Sequence, residues 1–175
     1  MVGAVIALLL SCASVTHAAK SAWDADGPER SHDDEETPWT EQGAALPEYP
    51  DKNHLINVPV EIAGSSLDMF IDERSLSIGE DGVVRYVLVL RAQSGAENVF
   101  FEGIRCATHE LRSYAYGTSR SAWQSVDTAW TPLSGLGVGR YREQLYQYYL
   151  CHPTLGTLPR QEILQRMRYG VPHDD

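Results

Sequence analysis

Six side chains in the middle of the chain have the types and the alternation to build a binding face: Arg85, Arg91, Arg105, Arg112, Tyr114 and Tyr116. A guanidinium forks onto carboxylate or phosphate oxygens, and a tyrosine adds flat contact area and a hydroxyl. Such a face suits an anionic ligand, a peptide carboxylate, a partner protein or the chain's own acidic N-terminal span. The same residues also fit plain cross-strand pairing on a solvated sheet.

Other candidate chemistry is weaker. Cys106-x-x-His109 and Cys151-His152 together offer two thiols and two imidazoles, the ligand types of a structural zinc. Neighbours at a helix end rarely aim at one ion, so the reading is no metal. Gly135-Leu136-Gly137-Val138-Gly139-Arg140 precedes a helix but lacks the dinucleotide-binding spacing, and no P-loop lysine follows; it reads as a flexible connection. No serine sits in a nucleophile elbow, and Glu102 reads as a half-buried acid satisfied by Arg105 or Tyr86. The sequence offers no catalytic residue and no cofactor motif.

The elements that must carry these side chains are strands first and helices last. Leu55–Ile62 and Leu67–Ile71 are short and apolar or β-branched. Asp81-Gly82 favours a hairpin turn into Val83–Arg91, which is apolar on both faces at its centre and predicts a central strand. Gln93–Ala96 turns it back into Glu97–Cys106, and Thr108-His109 turns again into Glu110–Gly117, with a further strand near Trp123. Tyr141, Leu145, Tyr148 and Tyr149 then share one face of a helix over Arg140–Cys151. A second helix is expected over Leu158–Tyr169, with Thr157 as its cap and Pro159 in its first turn. The fold class is α+β: an antiparallel meander of about five to six strands, packed on one face by two C-terminal helices.

Period-two alternation assigns the faces. A Cys106 that points to the helix layer puts Val84, Leu88, Leu90, Phe100, Glu102 and Ile104 on the covered face. Val99, Phe101, Gly103 and Arg105 fall on the other, joined there by Arg85, Arg91, Arg112, Tyr114 and Tyr116.

The 175 residues carry a net charge of −10, which argues against general nucleic-acid binding. The charge is uneven. Residues 20–52 hold ten acids and three bases, whereas every base after Lys52 is Arg and the balance there is −3. Residues 19–52, with Pro28, Pro38, Pro47 and Pro50, read as an acidic tether in which Trp23, Trp39 and Tyr49 are anchors on the domain surface or a short partner motif. Residues 53–175 are the single folded domain. Residues 1–18 read as a signal peptide cleaved after Ala18, or alternatively as a lipoprotein leader with Cys12 as the lipidated residue. The basic start of a normal signal is absent. No apolar run reaches the ~18 residues of a membrane span, so membrane contact would come only through Cys12. In an oxidising compartment the remaining Cys106 and Cys151 most simply form a disulfide, worth about 4 kcal/mol for a loop of this length.

Ordered segments carry a family resemblance. Phe70-Ile71-Asp72, Asp81 to Tyr86, Ser94 to Val99 and Phe101 to Cys106 are similar to the cryptic neisserial protein-like family of Gram-negative envelope proteins. Tyr114-Ala115-Tyr116-Gly117, Trp123, Trp130 and Tyr148 to Cys151 continue the likeness, which spans about residues 46–170. The resemblance implies an exported or lipoprotein-type protein of the periplasm or outer envelope without an assigned activity, and transfers no catalytic residue. The expected role is a binding or structural module for an envelope protein or anionic ligand. The alternative is an envelope enzyme or chaperone-like factor acting on glycan or peptide.

Overall fold

The computed structural model describes residues 38–60, 66–137 and 139–171. The chain divides after Pro38, and all elements below belong to the unit that begins at Trp39. The expected leader, Cys12, Trp23 and the first part of the acidic span lie outside the described residues.

Asp51 accepts from the Asn53 N–H at 2.9 Å and so caps a single 3-10 turn, Lys52–His54. The strands follow as β1 Leu55–Asn57, β2 Leu67–Asp72, β3 Ser77–Ile78, β4 Val83–Ala92, β5 Glu97–Arg105, β6 Glu110–Gly117, β7 Trp123–Ser125 and β8 Thr131–Pro132. They form one antiparallel sheet in the order β1-β2-β4-β5-β6-β7, with β3 beside β4 and β8 beside β6. This is the expected meander. Val83 to Leu90 of β4 are all buried, as a central strand apolar on both faces requires. The turn into β4 works because Gly82 takes a left-handed φ of 75° and the Asp81 carboxylate accepts the Val83 N–H at 3.1 Å.

Helices cover one face. The C-terminal elements are α1 Gly139–Gln144, a wider π-helical turn Leu145–Leu150, a ribbon of β9 Cys151–His152 and β10 Gly156–Thr157, and α2 Arg160–Tyr169. Tyr141, Leu145, Tyr149, Leu150, Ile163 and Met167 pack on Val84, Tyr86, Leu88, Leu90 and Ile104 of the sheet. Each large apolar side chain buried this way contributes about 1.5–3 kcal/mol. Cys106 and Cys151 are joined in a disulfide with Cα atoms 5.6 Å apart.

Three expectations about element ends and caps need correcting. The first strand ends at Asn57 rather than Ile62: Val58 still donates to the Met69 carbonyl, but Pro59 has no N–H to continue the ladder. The first helix stops at Leu150, not Cys151. The Cys151 N–H closes the wide turn on the Tyr146 carbonyl, and Cys151 itself is extended, paired with Thr157 across β9–β10. The disulfide therefore ties the end of β5 to the ribbon just past the helix. Thr157 does not cap α2, because its hydroxyl donates to the Gly82 carbonyl at 2.9 Å; Pro159 occupies the cap position.

The opposite face has its own apolar cluster of Val87, Val89, Val99, Phe101 and Ala115, with Tyr49, Phe70, Tyr114 and Trp123 against it. A β-bulge lies between β5 and β6: Glu102 pairs with Ser113 and Phe101 with Ala115, so Tyr114 is the extra residue. Tyr116 thus pairs with Phe100, whose packing is in the helix-side core. Simple alternation put Tyr116 with the arginines; the bulge moves it to the other face.

Candidate functional site

Residues 39–50, part of the span expected as a tether, lie across the second face of the sheet. Their sequence suits this path. Trp39 and Tyr49 supply aromatic anchors at the two ends, and Ala44 between them packs against the apolar cluster of this face. Tyr49 stacks on Trp123 at 5.1 Å between ring centroids, and Trp123 Nε1 donates to the Pro47 carbonyl at 2.9 Å. At the other end, Trp39 Nε1 donates to the Asp81 carbonyl at 2.9 Å, and the Arg105 guanidinium stacks 3.8 Å from the Trp39 ring. Trp39 also meets Trp130 edge-on at 5.9 Å.

Glu41 is the centre of this strap. Its carboxylate receives Tyr114 Oη at 2.7 Å, Trp130 Nε1 at 3.0 Å and the Arg112 Nη1 group, with Arg85 Nη2 at 3.6 Å. Burial works against the charged carboxylate, but the hydrogen bonds from Tyr114, Trp130 and Arg112 outweigh it and hold Glu41 below its ordinary range. Tyr114 moves the other way: burial, then its bond to the Glu41 carboxylate, push the phenol up. It therefore stays a donor.

Arg85 is the deepest cation, 6% exposed. It forks onto Asp81, with Nη2 2.6 Å from Oδ2 and Nη1 3.1 Å from Oδ1, and Nη2 also reaches the Gln42 carbonyl at 2.9 Å. Burial disfavours its charge, yet the bond to the Asp81 carboxylate more than offsets this and raises its pKa. Asp81 closes the loop by accepting the Gln42 N–H at 2.8 Å. Burial opposes the Asp81 charge, and the bonds from Arg85, Gln42 and Val83 overcome it, lowering its pKa. The backbone of Gln42 is thus read on both its N–H and its C=O.

Arg85, Arg105, Arg112 and Tyr114 are brought together by β4, β5 and β6. Arg91 is apart from them, stacked on Phe70 at 4.2 Å and paired with Glu97 at 2.7 Å. Tyr116 is on the other side, as described. Gly103 makes room for the cradle: a Cβ there would come within 2.6 Å of the Tyr114 hydroxyl and 2.9 Å of Val83 Cγ1.

Sequence reasoning missed Glu41 and Trp130. Glu41 was one acid among ten in a solvated span; the signal that separates it is Trp39 two residues earlier. The remaining candidates resolve as structure. Glu102 is fully buried and takes Arg142 Nε and Nη2, while Ser113 and Tyr86 lie at 3.5 Å. His109 is elsewhere, bonded to Glu143 at 3.1 Å and against Tyr146 at 4.3 Å. Cys106 and Cys151 spend their sulfurs on each other, and His152 Nδ1 accepts the N–H groups of Thr154 and Leu155. No group of three or more metal-ligating side chains occurs among the described residues, and no described helix is long and apolar enough to cross a membrane.

Comparison with known proteins agrees with the resemblance. Residues 34–168 match the CNP1-like family, a span that holds the whole sheet, the strap and all but the end of α2. Cryptic neisserial protein 1 of Neisseria gonorrhoeae (strain ATCC 700825 / FA 1090) is 30% identical over 162 residues, covering 77% of this chain and 77% of that protein. No solved structure matches. With most of its length matched and its fold contained in the match, this chain belongs to the CNP1-like family.

Proposed function

We propose that this protein is exported to the periplasm or outer envelope, cleaved after Ala18 or lipidated at Cys12, and works there as a binding module. Its working surface is the face of Arg85, Arg105, Arg112 and Tyr114. One observation carries this reading: the Glu41 carboxylate, 15% exposed, sits in converging donors from Arg112, Tyr114 and Trp130. Buried charges persist only where they are paired and hydrogen-bonded. A site that satisfies a carboxylate, stacks an aromatic ring and reads backbone on both edges has the chemistry to recognise an extended acidic segment.

The test is complementation. In a strain deleted for the gene, chains with Arg105→Ala plus Arg112→Ala are expected to accumulate normally and fail to restore the envelope phenotype of the deletion. Full restoration by a folded double variant would rule the binding role out. Mass spectrometry of the protein from membrane and periplasmic fractions checks the export half, through the mass of the mature N-terminus and any lipid on Cys12.

A further inference from the structure

We infer that residues 39–44 are the resident stand-in for a segment of another protein, and that the cradle recognises an extended peptide with three features. These are an aromatic residue two positions before a carboxylate, the carboxylate itself, and a large apolar residue two or three positions after it. The inference rests on the binding reading above and names the partner.

The first two features are those the cradle reads in its own strap. Trp39 is stacked by Arg105 and edged by Trp130, Glu41 is seated by Arg112, Tyr114 and Trp130, and the Gln42 backbone bonds Asp81 and Arg85. The Gln42 N–H and C=O are groups that any extended peptide supplies; its side chain adds one contact, Nε2 donating to Glu80 at 3.2 Å.

The third feature comes from where the fit fails. Beyond Glu41 a cavity of about 400 Å³ opens between Gly43, Ala44 and Leu46 on the strap and Arg112, Tyr114, Ser125 and Val126 on the sheet. A Cβ added at Gly43 would meet nothing within 4 Å. Arg85 Nε and Arg112 Nε are also buried without a hydrogen-bond partner among the described residues, so the cradle holds more donors than its strap engages. The face is wider and richer in donors than residues 39–44 require.

The strap is also held in two independent halves. Residues 47–50 are fixed by Trp123 on Pro47 and Tyr49 and by Arg74 on Glu48. Residues 39–44 are fixed mainly by charge-assisted bonds and stacking. Their release leaves the apolar anchor at Tyr49 in place and removes only Ala44 from the apolar cluster, so a competing peptide displaces a short segment rather than opening the core.

The experiment uses the full mature chain and two fluorescein-labelled peptides, one with the sequence of residues 38–46 and one with the Gly43→Leu change. The hosts are wild type, Glu41→Gln, and Trp39→Ala plus Glu41→Gln. Both variant hosts are expected to bind the peptides saturably and about tenfold or more tightly than wild type, whose strap competes in cis. The Gly43→Leu peptide is expected to bind more tightly than its parent. Arg112→Ala in either variant host is expected to abolish binding. If the double variant does not show cooperative unfolding, the single Glu41→Gln chain decides alone. A folded Glu41→Gln chain that binds neither peptide, or binds both equally well with Arg112→Ala, overturns the inference. A wild-type dimer that Glu41→Gln dissolves would assign the occupant to a second copy, and also overturns it. No peptide binding by the folded Glu41→Gln chain, alongside loss of complementation by the arginine variants, would leave the binding module standing and refute only this partner. Peptide binding with full complementation would do the reverse.

Discussion

Arg142, on the helix side, and Glu102, on the sheet, form a buried ion pair: Nε is 2.9 and 3.0 Å from the two carboxylate oxygens, and Nη2 is 2.5 Å from Oε1. Glu102 is 0% exposed and the Arg142 side chain 11%. Burial alone disfavours the Arg142 charge, and the Glu102 carboxylate overrides it and raises its pKa. Removing one partner strands a buried charge. Arg142→Met is therefore expected to destabilise the fold by about 3–5 kcal/mol in urea unfolding. Adding Glu102→Gln is expected to recover a large part of that loss, because the stranded charge goes too.

Gly103→Ala tests the space that seats Tyr114. The new Cβ cannot be accommodated with the Tyr114 hydroxyl at 2.6 Å and Val83 at 2.9 Å. The ring must shift away from Glu41 at an expected loss of about 1–3 kcal/mol, the range for overpacking a filled site. Thermal unfolding reads the loss, and tryptophan emission from Trp39 and Trp130 reads the disturbed cradle.

Acid should loosen the strap before it unfolds the domain. Glu41 has its pKa lowered from the ordinary 4.5, and Asp81 from 3.8. A carboxylate lowered on folding adds stability that is complete above its unfolded value and is lost as pH falls through the folded one. Asp72 has the opposite sign: burial raises its pKa from 3.8, so it costs stability at neutral pH and relieves that cost on acidification. With two groups against one, stability is expected to fall as pH drops below 4.5. Glu41→Gln is expected to flatten the profile there, measured by thermal unfolding across the acid range.

Much of this fold was legible in the sequence because it follows from periodicity. Val83–Arg91 is apolar on both faces, and it is the central strand. Asp81-Gly82 and Gln93–Ala96 turn where their residues demand. What was not legible depends on partners distant in the chain. A tether and a strap have the same composition; Trp39 two residues earlier is a local hint, but the partners that seat Glu41, namely Arg112, Tyr114 and Trp130, are distant in the chain. Arg142 on a helix turn looks solvent-facing until Glu102 is found opposite. The bulge at Tyr114 carries no marker, since neither glycine nor proline is needed to make it, and so the face of Tyr116 was misplaced.

Proteolysis separates strap from tether. Chymotrypsin is expected to cut slowly after Trp39 in the native chain, because Arg105 stacks on the ring, Trp130 meets its edge and Glu41 is seated two residues on. Glu41→Ala should speed cleavage after Trp39 several-fold, because the Glu41 carboxylate holds this half of the strap. Peptide mapping over a time course measures the rate.

Reduction tests the Cys106–Cys151 link. The unreduced mature protein, unfolded in denaturant, is expected to show neither of these two thiols free. Reduction should release both and cost up to about 4 kcal/mol, because the bridge closes 45 positions of chain.

The bulge between β5 and β6 has an arithmetic consequence. If the codon for Tyr114 were deleted, Ser113 would still face Glu102, Ala115 would still face Phe101, and the ladder would run on as a regular one. Tyr114 is thus surplus to the pairing of the strands. It can be subtracted without shifting any neighbour into a new frame, and what would vanish is a ring beside Phe101 and the hydroxyl on Glu41. The sheet can be assembled without this residue, but the cradle cannot.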